Sequence, residues 1–217
     1  MYVLAALALV LIPLVLIGWR YFGKSGLVEK ERWLSYWAEL QEYRDLKPIG
    51  EPTRLTGGIS GETYFREGDG IRFFLEGSDD GHLYLINGEY GREGKVPQYT
   101  ILFPSPDSNN RSSHVKAEQG VATSVCDFDA TIGTEKVWIV WSVNAIPFLE
   151  DAIGKWANKE QQGQIKDPDQ AGLLRQLLEG SEAEKPQVER DEANERITLR
   201  GRKKVIVYLL KLTHIKR

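Results

Sequence analysis

From Val3 to Trp19 the chain reads VLAALALVLIPLVLIGW, apolar at every position apart from Pro13 and Gly18. As a helix this run would be roughly 25 Å long, close to a hydrocarbon core of about 30 Å. Tyr2 before it, and Trp19, Tyr21 and Phe22 at its end, fall where amphipathic rings settle at headgroup level. Pro13 is tolerated inside a helix surrounded by lipid. The pattern predicts a single-span anchor over residues 1–22, marked by Val3, Leu9, Pro13, Trp19 and Tyr21, with the bilayer as partner of residues 3–19. A cleaved secretory signal and a buried core helix are the alternatives. Against the first, no Lys or Arg precedes the run and no small-x-small site follows it.

Over residues 27–46 Trp33, Trp37 and Leu40 recur at i, i+4 and i+7 with charges opposite. That spacing predicts an amphipathic juxtamembrane helix within residues 23–50, ended by Pro48 and Gly50. Beyond it, residues 51–217 read as a β-rich domain. Short alternating runs at 71–76, 82–88, 98–103, 121–128 and 136–143 are separated by turn residues, the mark of an antiparallel sandwich or barrel. Asp80-Gly81 between the first two predicts a hairpin, because such a turn favours positive φ. The apolar run KVWIVWSV (136–143) has the composition of a central strand.

Helical spacing returns at 148–158, where Leu149, Ile153 and Trp156 share a face, and at 171–178 behind the capping sequence Asp167-Pro168-Asp169. Two helices therefore occupy about 148–180. Residues 181–195 read as a polar linker, and 196–212 as a closing hairpin turning at Gly201-Arg202. The predicted fold class is α+β: an antiparallel sandwich or barrel with flanking helices and one N-terminal span.

Composition sharpens this picture by its distribution. The 217 residues carry 28 Lys+Arg and 31 Asp+Glu, a formal charge of −3, yet none of these charges falls in residues 1–19. Arg20, Lys24, Lys30 and Arg32 all follow the apolar run, so the positive-inside bias places the following domain in the cytoplasm, on a single-pass protein of a bacterial inner membrane. One Cys, Cys126, excludes an internal disulfide framework and a lipoprotein anchor. It fits a reducing compartment without requiring one, which leaves an extracytoplasmic placement open. One Cys with three His is too few soft ligands for a structural zinc site, and no cofactor is expected. Seven cations lie between Arg200 and Arg217 with no acid among them. They are balanced by the acids of 181–195 or offered to anionic lipid. No nucleic-acid partner is expected, because no recognition or stacking motif accompanies these cations.

Three stretches stand out together: DGHLYLIN (80–87), TILFPSPDSNNR (100–111) and IGTEKVWIVWS (132–142). Their order and spacing resemble the bacterial family known as domain of unknown function 4384. Its pattern is a Gly-aromatic-Leu-Tyr-Leu strand, a Leu-Phe-Pro-x-Pro loop and a Gly-Thr-Glu-x-x-Trp strand. The resemblance covers about residues 66–145, with a weaker echo in ITLRGRKKVIVYLLKLTH. It implies a β-rich module, often joined to protein kinase, caspase-like peptidase or transmembrane segments, and it implies no catalytic residues. His82 departs from the family's usual aromatic, and no kinase or peptidase region accompanies the match.

Candidate chemistry is sparse. Ser113 and His114 with nearby Asp107 offer the residue types of acyl transfer, but in a polar loop without a nucleophile elbow. Cys126 is followed by Asp127 and Asp129, which disfavour a thiolate. The acidic turns lack the twelve-residue calcium spacing, and Gly57–Thr63 lacks the P-loop lysine. Asp107, Asn109, Asn110 and Arg111 form a possible ligand loop. The expectation is a non-catalytic, membrane-anchored recognition or assembly module of a bacterial signalling or envelope system, with a protein partner. The alternatives are a membrane-anchored hydrolase using residues near Ser113 and His114, or a scaffold for a neighbouring gene product.

Overall fold

The computed structural model describes residues 30–44, 47–55, 64–89, 98–127, 133–156, 163–180 and 185–215. The chain divides into Met1–Lys30 and Glu31–Arg217, and the architecture below is that of the second unit. The predicted anchor, with Val3, Leu9, Pro13, Trp19 and Tyr21, lies outside the described residues. Among those residues no helix is long and apolar enough to cross a membrane.

The described strands form two sheets. In the first, β1 (Arg32–Arg44), β4 (Gly70–Gly77), β8 (Val121–Ala122), β11 (Gln187–Asp191) and β12 (Arg196–Gly201) run in the order β11-β12-β1-β4-β8. β2 (Lys47–Arg54) pairs with the far half of β1, and β9 (Cys126–Asp127) with the start of β4. In the second sheet, β3 (Tyr64–Arg66), β5 (Gly81–Glu89), β6 (Gln98–Phe103), β10 (Gly133–Ser142) and β13 (Val205–Ile215) run in the order β3-β13-β10-β5-β6, with β7 (His114–Val115) against β5. The described pairings are antiparallel except β3 with β13.

Two apolar layers follow from strand alternation, since successive side chains face opposite ways. Leu34, Tyr36, Phe73, Leu75, Ile197 and Leu199 of the first sheet meet Leu83, Leu85, Val137, Ile139, Trp141 and Leu210 of the second. The intervening residues of the second sheet, among them Tyr84, Ile86, Trp138, Val140 and Val207, face the other way. They are covered by α1 (Pro147–Lys155) and α2 (Pro168–Glu179) through Leu149, Ile153, Leu174 and Leu178. β10 is therefore buried on both faces, as its composition predicts. The layers run sheet, sheet, helices.

Several sequence expectations are corrected. Residues 32–44 of the predicted juxtamembrane helix (23–50) form strand β1. Its sequence satisfies period 2 as well as 3.6: Leu34, Tyr36 and Ala38 are buried, while Trp33, Trp37 and Glu39 alternate with them. Pairing with β4 and β12, distant in sequence, selects the strand. The predicted hairpin at Asp80-Gly81 is a corner, for β4 belongs to the first sheet and β5 to the second. Gly81 serves there by lacking a side chain: a Cβ would lie 2.8 Å from the Ser142 carbonyl oxygen and 2.8 Å from the Trp141 ring. The closing hairpin at 196–212 is a second such corner, because β12 and β13 lie in different sheets. β12 instead pairs with β11, so the predicted linker 181–195 contains a strand at Gln187–Asp191. Among the described residues the run 121–128 contributes the short strands β8 and β9.

Candidate functional site

Ser113 and His114 come together with His82 beneath the first turn of α1. β7 pairs with β5 so that His82 and His114 are opposite, which brings the residue before β7, Ser113, beside His82. Ser113 Oγ lies 2.8 Å from His82 Nδ1 and donates to Glu150 Oε1 at 2.5 Å. Tyr84 Oη donates to the same Glu150 oxygen at 2.6 Å and accepts from the Ile146 amide at 3.0 Å. His82 Nδ1 is 3.8 Å from that oxygen, and the His114 ring meets the His82 ring edge-on at 5.5 Å. Burial holds the His82 imidazole below its ordinary pKa; Glu150 opposes that shift and His114 adds to it. Burial, and the hydrogen bond to Glu150, raise the Tyr84 phenol.

The order of contacts decides what this cluster can do. An acyl-transfer triad places the base between nucleophile and carboxylate, each on a different ring nitrogen. Here the serine stands between histidine and carboxylate, its proton is committed to Glu150, and Ser113 is only 2% exposed. With the serine hydroxyl donating to Glu150, the contact to His82 is completed by the tautomer whose Nδ1–H donates to the serine oxygen. The cluster is wired as a polar latch joining α1 to the second sheet. Asp107, the third sequence candidate, stands apart from this cluster. It is exposed and borders a cleft of about 390 Å³ with Ile101, Leu102, Pro106 and Trp156.

The Pro/Asn loop is internally held. The Phe103–Pro104 bond is cis. The Ser105 and Ser108 hydroxyls lie 2.7 Å apart, and Ser105 reaches Ser124 at 3.1 Å. Asn109, Asn110 and Arg111 have φ of 50°, 49° and 62°, a left-handed turn that Asn tolerates better than most residues. Asn109 Nδ2 donates to the carbonyls of Ser112 and His114, so Asn109 builds the loop. Asn110 and Arg111 are exposed.

The remaining candidates have structural surroundings. Cys126 packs against the core edge, and burial, with Asp127 and Glu135, pushes its thiol up to about 12, far from a thiolate. Asp79 faces Arg32 at 3.9 Å and accepts from Ser78, while Asp80 accepts from the Ala117 amide. Gly57–Thr63 and Asp129 lie outside the described residues. Among the described residues no group of three or more His, Cys, Asp or Glu is placed to hold a metal ion.

Sequence reasoning missed a second feature, on the outward face of the first sheet. Trp37 of β1 and Phe74 of β4 are cross-strand partners whose rings stack at 5.1 Å and 3°. The guanidinium groups of Arg196 and Arg54 lie 4.4 and 4.8 Å from the centre of the Trp37 ring. Arg196 also meets Glu76 at 3.2 Å, and Arg54 meets Glu195 at 3.6 Å. Reading 32–44 with period 2 would have put Trp33 and Trp37 on this face.

Comparison with protein-family models, curated proteins and solved structures yields no match to this chain.

Proposed function

We propose that this chain is a non-catalytic recognition module, held to a bilayer by residues 3–19, that docks a folded protein partner on the outward face of its first sheet. The observation that carries the reading is the contrast between the two sheets. Helices cover the second, whereas the outward face of the first carries Trp37, Phe74, Arg54 and Arg196, with Arg72 exposed beside them. Tryptophan and arginine are the residue types that dominate protein–protein binding energy. The latch wiring of Ser113 favours this reading over the hydrolase. A bacterial signalling or envelope assembly is the setting proposed for such a module.

The test is affinity capture of the detergent-solubilised full chain from its own membranes, with Arg72→Glu as the comparison. Arg72 is exposed on the face and outside the apolar layers, so the variant should fold. The reading expects a stoichiometric protein partner, retained after an alkaline wash of the membranes, and its loss in the variant. Identical capture by both chains contradicts the sheet face as the docking site.

A further inference from the structure

The cleft beside Asp107 belongs neither to the latch nor to the outward face of the first sheet, yet it is built from fixed parts. β6 contributes Ile101 and Leu102, and the loop after it contributes Pro106 and Asp107. Val125 comes from the segment just before β9, and Trp156 from the end of α1. The loop is pinned by the hydroxyl contacts of Ser105 with Ser108 and Ser124. β6 is fastened by the Ile101 amide, which donates to the Gly163 carbonyl at 2.9 Å. Gly163 is required there: its φ is 73°, and a Cβ would clash with the Ile101 carbonyl oxygen and lie 3.2 Å from the Trp156 ring. The cleft is therefore formed before any ligand arrives.

We propose that this cleft binds a small organic cation, a primary ammonium carried on an apolar or aryl body. Its volume of about 390 Å³ falls in the range of small-molecule sites, roughly 300–1,000 Å³. Ile101, Leu102, Pro106, Val125 and Trp156 offer hydrocarbon and indole surface, and burying the ligand body against them supplies the affinity. The sign of the ligand charge follows from Asp107. Among the described residues that line the cleft it alone carries a charge. It is exposed at the rim and has neither a hydrogen bond nor an ion pair with another described residue. Arg111, the nearest cation along the chain, does not line the cleft. A carboxylate without a partner attracts a cation and repels an anion, and an indole wall favours the same sign. The proposal is independent of the anchor and of the sheet face.

The experiment uses the full chain in detergent, labelled with fluorotryptophan and followed by fluorine NMR, with the Trp156 resonance assigned through Trp156→Phe. The probes are phenethylammonium, its neutral analogue phenethyl alcohol, and the carboxylate hydrocinnamate. Phenethylammonium should shift the Trp156 resonance saturably, with half-saturation at about 1–10 mM. The alcohol should bind roughly three-fold or more weakly, as should the ammonium in Asp107→Asn, and hydrocinnamate weakest of all. Asp107 is exposed, so the variant should fold, and unmoved resonances of the other tryptophans check that it has. Equal affinity for the ammonium and the alcohol overturns the proposal, and that comparison needs no variant. Ammonium binding that Asp107→Asn leaves unchanged overturns it too, as does a Trp156 resonance unmoved up to about 50 mM. A capped lysine peptide binding as tightly as phenethylammonium overturns the assignment to a small molecule.

Discussion

Glu150 is the acceptor on which two hydroxyls depend, Tyr84 Oη and Ser113 Oγ, and its place in the first turn of α1 suits the positive end of the helix dipole. His82 completes the latch as a neutral donor. Because burial holds its pKa below the ordinary value, the folded chain binds fewer protons than the unfolded one near that value. Stability is therefore full above the ordinary imidazole pKa and falls as the pH drops through it. Thermal unfolding should show Tm decreasing between about pH 7.5 and about pH 5.5, and decreasing less in His82→Gln. An unchanged pH slope in the variant would remove His82 from the account. Ser113 was legible in the sequence as a candidate, but its partners were not. His114 is its neighbour in the chain, yet the hydroxyl meets His82 and Glu150, which only strand pairing and helix docking bring near. Asp107 illustrates the converse, near in sequence and facing a different cleft.

Among the elements, those read correctly have local causes. α2 begins where predicted because Asp167 accepts from the amides of Asp169 and Gln170, with Pro168 in the first turn. β6 runs over the predicted residues, and β10 is apolar on both faces because it lies between two packed layers. The misread elements were those decided by distant partners. Period 2 and period 3.6 both fit 32–44, and a four-residue turn cannot announce whether its strands will share a sheet. The helical layer gives a quantitative check. Leu174 is fully buried against the second sheet, whereas the adjacent Leu173 is 49% exposed. Leu174→Ala should cost about 2–5 kcal/mol in urea unfolding, and Leu173→Ala only about 0.5 kcal/mol or less. Equal costs would mean that α2 does not dock by this face.

For the molecule as a whole, one sheet is shared by two apolar layers and the other by one. That asymmetry leaves an aromatic and arginine face without a covering layer among the described residues. The sequence carries the raw signal in Trp33, Trp37 and Phe74, but a helical reading of β1 turns the tryptophans toward the domain instead of away from it. Ion pairs such as Arg196–Glu76 on this face contribute little stability, because exposed pairs are screened. On the reading proposed above, this face meets a partner protein. The direct measurement is site-specific photo-crosslinking in native membranes, with the reactive residue at Arg72 on the sheet face or at Lys155 on the helical layer. One discrete crosslinked protein is expected from position 72 and none from position 155. Crosslinking from 155 alone, or equally from both, would contradict it.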